Sequence, residues 1–209
     1  KAELPVLSAP SLSGSAVGII APTSRQLRSV PQLGDIIIGV PSSGVHSNGI
    51  SLVIKRAMGL PDAFLTKLPS GRSLGEEALI PTCSYVALME ALLENEVVMH
   101  AVLPGTGDGV GKIAFDKRPF TYRIHSWVKE IPPLFLFMQE LGVEFTTLLK
   151  TFNWGVGYYL FVPKEEVDRC LGIGQAAGYE PLVVGRVEEG ERRVIFGPAS
   201  DLVLPPPGE

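Results

Sequence analysis

The order of apolar and polar residues along this chain predicts alternating strands and helices. The run Asp35-Ile36-Ile37-Ile38-Gly39-Val40 is almost continuously β-branched, which is the pattern of a strand buried on both faces. Ile50 to Met58 is predicted to be a helix, as is Lys164 to Ala177, with Gly178 ending the second. The alternation indicates an α/β (α+β) fold, in which a mixed sheet packs against helices.

Other elements follow from the same reasoning. Strands are predicted over 15–21, 97–103 and 155–162, helices over 81–96, 131–141 and 145–150, and a closing hairpin over 181–187 and 192–196. The segment 60–73 is predicted to be irregular. The end of the chain is rich in proline, which continues neither a helix nor a central strand, so residues 205–209 are predicted to be a loose tail.

Composition and charge narrow the classes of function. The 209 residues are 45% hydrophobic with a net charge of −4, enough apolar material for one large domain or for a domain and a fragment. The chain has no block of Lys and Arg, so nucleic-acid binding is not expected, whereas backbone N–H groups can still bind an anionic small molecule. No apolar run is long enough to cross a membrane, so no membrane association is expected. Cys83 and Cys170 lack metal-site or disulfide spacing, which favours a reduced, cytoplasmic chain without a metal site.

The loop from Ser42 to Asn48 is the strongest candidate site. It is small and polar, and it lies between a predicted strand and a predicted helix. Such a loop turns backbone N–H groups toward one point, where hydroxyl and amide side chains can bind a phosphate. His46 can donate to that phosphate or shuttle a proton near neutral pH. The alternative interpretation is a capped helix, with Ser47 or Asn48 as the N-cap, and the local pattern leaves both open.

A second candidate loop, rich in glycine, runs from Gly105 to Gly111. It does not have the Gly-x-x-x-x-Gly-Lys-[Ser/Thr] pattern, because Thr106 and Ile113 stand where Gly and Ser or Thr are required. Asp108 is a candidate metal ligand or base in this loop, and the alternative is a flexible loop. The segment from Thr151 to Gly157 either contacts a ligand through its polar residues or forms a turn with a bulge.

Several motifs resemble those of the AIR synthetase family, the phosphoribosylformylglycinamidine cyclo-ligases. The longest runs from Gly34-Asp35 through the predicted strand to Ser42-Ser43-Gly44-Val45-His46-Ser47-Asn48-Gly49-Ile50-Ser51-Leu52. Further similar motifs are Leu74-Gly75, Pro81-Thr82 with Tyr85, and Thr151-Phe152-Asn153-Trp154-Gly155-Val156-Gly157. Ala2-Glu3-Leu4-Pro5 resembles the tail of a segment found upstream in the family. The order and spacing of these motifs agree along almost the whole chain.

The resemblance implies an organisation of the chain. Residues 1–33 would be a remnant of an N-terminal ATP-binding AIR synthase domain with its linker, and residues 34–204 an AIR synthase-like C-terminal domain. ATP and Mg²⁺ would be the cofactors, held mostly by the N-terminal domain, with Glu3 as the cofactor-binding candidate in this chain. The implied partners are a phosphorylated small-molecule substrate, the protein's own N-terminal domain and a second copy in a homodimer.

The resemblance also implies a reaction. The family closes the imidazole ring of formylglycinamidine ribonucleotide in purine synthesis, with phosphorylation of the formyl amide oxygen and attack by the amidine nitrogen. His46 and Asp108 are the catalytic candidates. The expected substrate or phosphate contacts are small and polar residues: Ser42, Ser43, Gly44, His46, Ser47, Asn48, Gly107 and Asn153. A chain without the N-terminal domain is expected to be inactive by itself.

One family motif is altered in this chain. The family's His-Ile-Thr-Gly-Gly-Gly-Leu-x-x-Asn is closest here to Thr106-Gly107-Asp108-Gly109-Val110, which lacks the Asn and has Lys112 nearby. Two alternatives therefore remain: a superfamily sibling that phosphorylates another substrate, and a non-catalytic binding or regulatory module of the same fold.

Overall fold

A computed structural model describes residues 14–208 of the chain. Within them, the α-helices and strands are β1 (Ile36–Pro41), α1 (Ile50–Ala57), α2 (Leu74–Ala78), α3 (Val86–Glu94), β2 (Ala101–Pro104), β3 (Phe120–Ile124), α4 (Pro133–Glu140), α5 (Phe145–Thr151), β4 (Val156–Val162), α6 (Val167–Ala176), β5 (Leu182–Glu189), β6 (Arg193–Phe196) and β7 (Leu202–Leu204). Short 3-10 helices occur at Thr23–Arg25, Ala63–Leu65, Gly109–Ala114, Lys164–Glu166 and Gly197–Ala199.

The strands form one mixed sheet in the order β2-β4-β1-β5-β3-β6-β7. Neighbouring strands are antiparallel except β3 and β6, which run parallel. The predicted mixed sheet packed against helices is confirmed. The predicted closing hairpin is wrong, because β3 lies between β5 and β6 and pairs with both of them.

Strand β1 lies inside the sheet and is buried on both faces, as its continuous apolar run predicts. Ile37 belongs to the larger core cluster, which also contains residues of α1, α2, α4 and α5. Ile38 and Val40 belong to a second cluster, which contains residues of α3 and α6. Helices therefore cover both faces of the sheet, because successive side chains of a strand point to opposite sides.

Other predicted elements differ from the structure. Residues 15–21 form no strand, and Val17 and Ile19 are almost fully exposed, because no neighbouring strand within residues 14–208 pairs with this segment. The helix predicted from 81 begins only at Val86. Strand β3 and helix α2 were not predicted. Pro206 is buried although it belongs to the segment predicted as a loose tail.

Among residues 14–208, no helix combines the length and the apolar character needed to span a bilayer.

Candidate functional site

Three loops meet at one edge of the sheet. Strands β1 and β2 are both antiparallel to β4, so their carboxyl ends lie beside the amino end of β4. The Ser42 N–H donates to the Gly155 carbonyl at 2.8 Å, and the Gly105 N–H donates to the Gly157 carbonyl at 2.8 Å. The sheet thus brings together the Ser42–Asn48 loop, the segment around Asn153 and the start of the glycine-rich loop.

Asn153 is buried, and its side chain links its own segment to the Ser42–Asn48 loop. Its Oδ1 accepts hydrogen bonds from the Ser42 hydroxyl at 2.9 Å and from the Gly155 N–H at 2.9 Å. Its Nδ2 donates to the Gly44 carbonyl at 2.8 Å. Because Asn153 has no exposed surface, it supports the loop from within the protein.

The start of helix α1 tests the capping interpretation of the Ser42–Asn48 loop. The N-cap is Gly49, with a φ of 83°, and no side chain caps the helix. Capping by Ser47 or Asn48 is therefore wrong. Within residues 14–208, neither side chain forms a hydrogen bond, and Ser47 is exposed and Asn48 half-buried. Gly49 is required here because a Cβ would overlap the Phe152 ring.

His46 lies folded back over its own loop. Its backbone is left-handed, with a φ of 56°. The ring Nε2 is 3.2 Å from the backbone N of Ser43 and 3.2 Å from the Ser43 hydroxyl oxygen. The same hydroxyl donates to the Pro81 carbonyl at 2.7 Å and accepts from the Cys83 N–H at 3.1 Å. Burial lowers the pKa of His46, because the charged imidazolium is poorly solvated there.

Three neighbours of His46 were not recognised from the sequence as part of the site. The Tyr85 ring lies edge-on to His46, with 6.2 Å between the ring centroids, and its hydroxyl donates to the Pro41 carbonyl at 2.9 Å. Cys83 Sγ is 3.8 Å from His46 Nε2. Gly157 leaves room for both rings, since a Cβ there would be 2.5 Å from His46 Cε1 and closer still to the Tyr85 hydroxyl. The signals were the Pro81-Thr82 motif with Tyr85 and the Gly-Val-Gly motif, but neither predicts contact with His46.

The tyrosine is held by stacking. Tyr85 stacks on Tyr158 of β4, with 5.0 Å between centroids, and more loosely on Tyr179, at 6.2 Å. Burial raises the pKa of the Tyr85 phenol far above its ordinary range, so the hydroxyl stays protonated and serves as a donor. Tyr85 thus fixes one wall of the His46 site.

The glycine-rich loop has a left-handed backbone at three successive residues. Gly107, Asp108 and Gly109 all have positive φ values, of 69°, 53° and 54°. Asp108 is exposed, and within residues 14–208 it forms no hydrogen bond with the Ser42–Asn48 loop. Lys112 donates to the Thr106 carbonyl and so closes the loop. Burial lowers the pKa of Lys112, and Asp108 opposes that shift.

An open groove of about 990 Å³ lies beside the Ser42–Asn48 loop. Its lining includes Ser42 and Ser43, the segment 128–133 before α4, Arg72 of the α1–α2 connection, and Leu182 at the start of β5. His46 and Asp108 do not line it. The groove gives a ligand of substantial size access to the two serines.

Metal and nucleotide contacts cannot be assigned to the described residues. No group of three or more His, Cys, Asp or Glu side chains within residues 14–208 is arranged to hold a metal ion. Glu3, the cofactor-binding candidate, lies outside the described residues.

Comparison with known proteins gives relatives that share one name, phosphoribosylformylglycinamidine cyclo-ligase. The chain is 35% identical over 204 residues to the phosphoribosylformylglycinamidine cyclo-ligase of Alkaliphilus oremlandii, covering 93% of this chain and 59% of the relative. It is 37% identical over 195 residues to that of Shouchella clausii, covering 89% and 55%. The chloroplastic enzyme of Arabidopsis thaliana is 36% identical over 189 residues, covering 86% and 47%. The chain therefore spans about half to three-fifths of the length of these curated relatives.

A solved structure supports the fold. The hydrogenase maturation protein HypE superposes with a TM-score of 0.52 at 17% identity, covering 86% of this chain and 55% of that chain. The family model described as "AIR synthase related protein, C-terminal domain" matches residues 32–197, which include every strand of the sheet except β7. The chain belongs to the family of AIR synthase related protein C-terminal domains.

Proposed function

We propose that this chain is the C-terminal domain of an ATP-dependent phosphoribosylformylglycinamidine cyclo-ligase. One observation carries the proposal: the Ser42–Asn48 loop is fixed from below by Asn153, while the side chains of Ser47 and Asn48 remain without partners in residues 14–208. The backbone of such a loop is already held in place, while its polar side chains are free to contact a ligand. Binding a polar ligand then costs little conformational entropy. Relatives named phosphoribosylformylglycinamidine cyclo-ligase match 86–93% of the chain.

The proposed reaction needs positioning and charge neutralisation from these residues. A phosphoryl group from ATP is transferred to the formyl amide oxygen, releasing ADP. The amidine nitrogen then attacks the formyl carbon and forms the C–N bond. The bond from that carbon to the former amide oxygen breaks, phosphate leaves with the oxygen, and a proton is released to solvent. Ser47, Asn48 and the first N–H groups of α1 donate to the phosphate oxygens, and His46 contacts the same group. Ser42, Ser43 and Gly44 shape the loop, with Asn153 beneath it.

The phosphoryl donor and its metal belong elsewhere in the proposal. The chain spans only part of the length of its relatives, and we assign Mg²⁺ and most of the ATP site to an N-terminal domain, with Glu3 as a contributor from this chain. A structure of the hydrogenase maturation protein in complex with ATP supports nucleotide use in proteins of this fold. Gly107 and Asp108 would approach the substrate only when that domain closes on the edge of the sheet. A homodimer and a cytoplasmic location complete the proposal.

The direct test is ADP release by the full-length protein that contains this chain. Formylglycinamidine ribonucleotide with ATP and Mg²⁺ should give ADP, phosphate and aminoimidazole ribonucleotide in equal amounts. The 209-residue chain alone should give none, and it serves as the matched control. ADP release without the aminoimidazole product would indicate a sibling with another substrate, and no ADP release with any formyl amide would indicate a binding module.

A further inference from the structure

The donors around Nε2 of His46 determine whether this nitrogen carries a proton. The Ser43 hydroxyl carries a single hydrogen, and it is donated to the Pro81 carbonyl at 2.7 Å. That hydroxyl therefore has no hydrogen left for His46 Nε2, although the two atoms are 3.2 Å apart. The Ser43 backbone N–H points at the same Nε2 at 3.2 Å and can only donate. Nε2 must accept, so it carries the lone pair.

The other side of Nε2 is consistent with this count. Cys83 Sγ lies 3.8 Å from Nε2 and 3.9 Å from the Pro41 carbonyl, and its one hydrogen can be donated to either acceptor. Tyr85, which packs edge-on, and Gly157 of β4 also lie beside the ring. Within residues 14–208, no carboxylate forms an ion pair with His46. A proton on Nε2 would face the Ser43 N–H head-on, both in the neutral Nε2–H tautomer and in the imidazolium. The imidazolium would in addition have no carboxylate partner within residues 14–208 to stabilise its charge.

We infer that His46 is a neutral imidazole with its proton on Nδ1, and that it acts as a hydrogen-bond donor to a ligand oxygen and not as a general base. The Ser43 N–H sets the tautomer, because the bond made by one ring nitrogen fixes the state of the other. The Nδ1–H has no hydrogen-bond partner in residues 14–208. Ser43 and Tyr85 are positioning residues that act through His46. The tautomer stands on geometry alone, whereas the donor role toward a phosphate oxygen rests on the proposed function.

The arrangement gives the site a donor whose charge does not change near neutral pH. A free histidine takes up a proton between about pH 5 and 8. In this loop, protonation requires the Ser43 N–H to lose its acceptor and a cation to form in a half-buried site. The contribution of His46 to ligand binding should therefore change little near neutral pH, whereas a phosphate ligand itself changes its charge there.

The tautomer can be read from ring-nitrogen NMR of the ¹⁵N-labelled chain. The sequence contains three histidines, His46, His100 and His125, so the spectrum is simple. Nε2 of His46 should resonate far downfield, as a lone-pair nitrogen does, and Nδ1 as a protonated nitrogen, at about pH 7 and at about pH 6. A proton on Nε2, or an imidazolium at pH 7, overturns the inference. Contacts between the His46 and Tyr85 rings identify the signal without any mutation.

The donor role is tested with inorganic phosphate and a pair of substitutions. His46→Asn keeps an N–H near the position of Nδ1, whereas His46→Gln places its amide nearer to Nε2. Phosphate should shift the Nδ1 signal of the wild type, and the Asn variant should bind phosphate more tightly than the Gln variant. Equal affinity in the two variants, phosphate binding that leaves Nδ1 unmoved, or no phosphate binding at all would overturn the donor role.

Assays of the full-length protein distinguish the proposed function from the role of His46. If the full-length protein lacks cyclo-ligase activity while the chain shows the Nδ1–H tautomer and phosphate contact, the proposed function fails and the inference stands. If activity is present but rises with a pKa that disappears in His46→Asn, His46 is a base and the inference fails. The pH profile therefore separates donor from base, since a donor of fixed charge contributes no such pKa.

Discussion

The Ser42 hydroxyl donates a 2.9 Å hydrogen bond to Oδ1 of Asn153, across 111 residues of sequence. This bond joins the end of β1 to the turn before β4 and sets the floor of the candidate site. The buried amide also holds Gly44 and Gly155, so three groups depend on one side chain.

Replacing Asn153 should therefore destabilise the whole domain. Asn153→Ala is expected to lower the free energy of unfolding by about 3 kcal/mol, because a buried polar group left unpaired costs about 1–3 kcal/mol and more than one is affected. Denaturant unfolding measures the change. The matched control is Asn95→Ala, where an exposed side chain bonds to the Ala91 carbonyl and a change within about 0.5 kcal/mol is expected. An equal decrease in the free energy of unfolding in the two variants would show that the hydrogen bonds of Asn153 do not stabilise the domain.

Gly157 should not tolerate even a methyl group. Gly157→Ala would push a Cβ into the Tyr85 hydroxyl and His46 Cε1, and overpacking of this kind costs about 1–3 kcal/mol. The His46 ring signals should move, and phosphate affinity should fall. Gly172→Ala is the control, because it lies within α6 with open space around it, and a helical Gly-to-Ala change gains up to about 1 kcal/mol. Unchanged His46 signals in Gly157→Ala would contradict the packing.

Stability should decline as the pH falls below the ordinary histidine pKa of about 6.5, because burial lowers the pKa of folded His46. Between the unfolded and the folded pKa, the imidazole of His46 is protonated in the unfolded chain but not in the folded one. Protonation therefore favours unfolding until the pH falls below the folded pKa. His46→Asn should lack this part of the decline. Urea unfolding between about pH 5 and 7 makes the comparison. Identical slopes in wild type and variant would exclude the shift.

Asp116 provides a contrast at lower pH. Hydrogen bonds from Arg118 hold the pKa of the Asp116 carboxyl below its ordinary value, so its stabilisation is present above about pH 4 and is lost as the pH falls further. The two contributions therefore separate on the pH axis.

The segment 15–21 should exchange its amide hydrogens far faster than β1. Within residues 14–208, no backbone N–H of this segment finds a carbonyl partner, whereas β1 is paired on both sides by β4 and β5. Hydrogen exchange followed by mass spectrometry compares 15–21 with 36–40 in one experiment. Equal protection in a monomer would show that the segment has a partner strand.

Elements whose structure is determined by neighbouring residues could be predicted from the sequence, and elements that depend on pairing with distant residues could not. Strand β1 was predicted because its apolar run is itself the consequence of burial on both faces. The hairpin from β5 to β6 was predicted wrongly because the insertion of β3 between them is decided by pairing with distant residues. Residues 15–21 have the composition of a strand, but a strand also needs a neighbour.

The site divides in the same way. The Ser42–Asn48 loop was recognisable, because a small polar run between a strand and a helix is a local signal. The role of Asn153 as a buried brace and the contacts of His46 with Tyr85, Cys83 and Gly157 arise from loops far apart in sequence. The alternative interpretation placed the N-cap at Ser47 or Asn48 on propensity, whereas packing against Phe152 gives that position to Gly49.

The place of β1 in the sheet has a consequence for synthesis on the ribosome. It is the first strand of the described sheet to be made, yet both of its partners, β4 and β5, come from residues 156–189. Its Ile36-Ile37-Ile38 run therefore leaves the ribosome with both strand edges unpaired, and it remains unpaired until most of the domain has been translated. Long-range pairing of this kind folds slowly and leaves apolar strand edges exposed meanwhile. The nascent chain therefore exposes this apolar strand until β4 and β5 have been made.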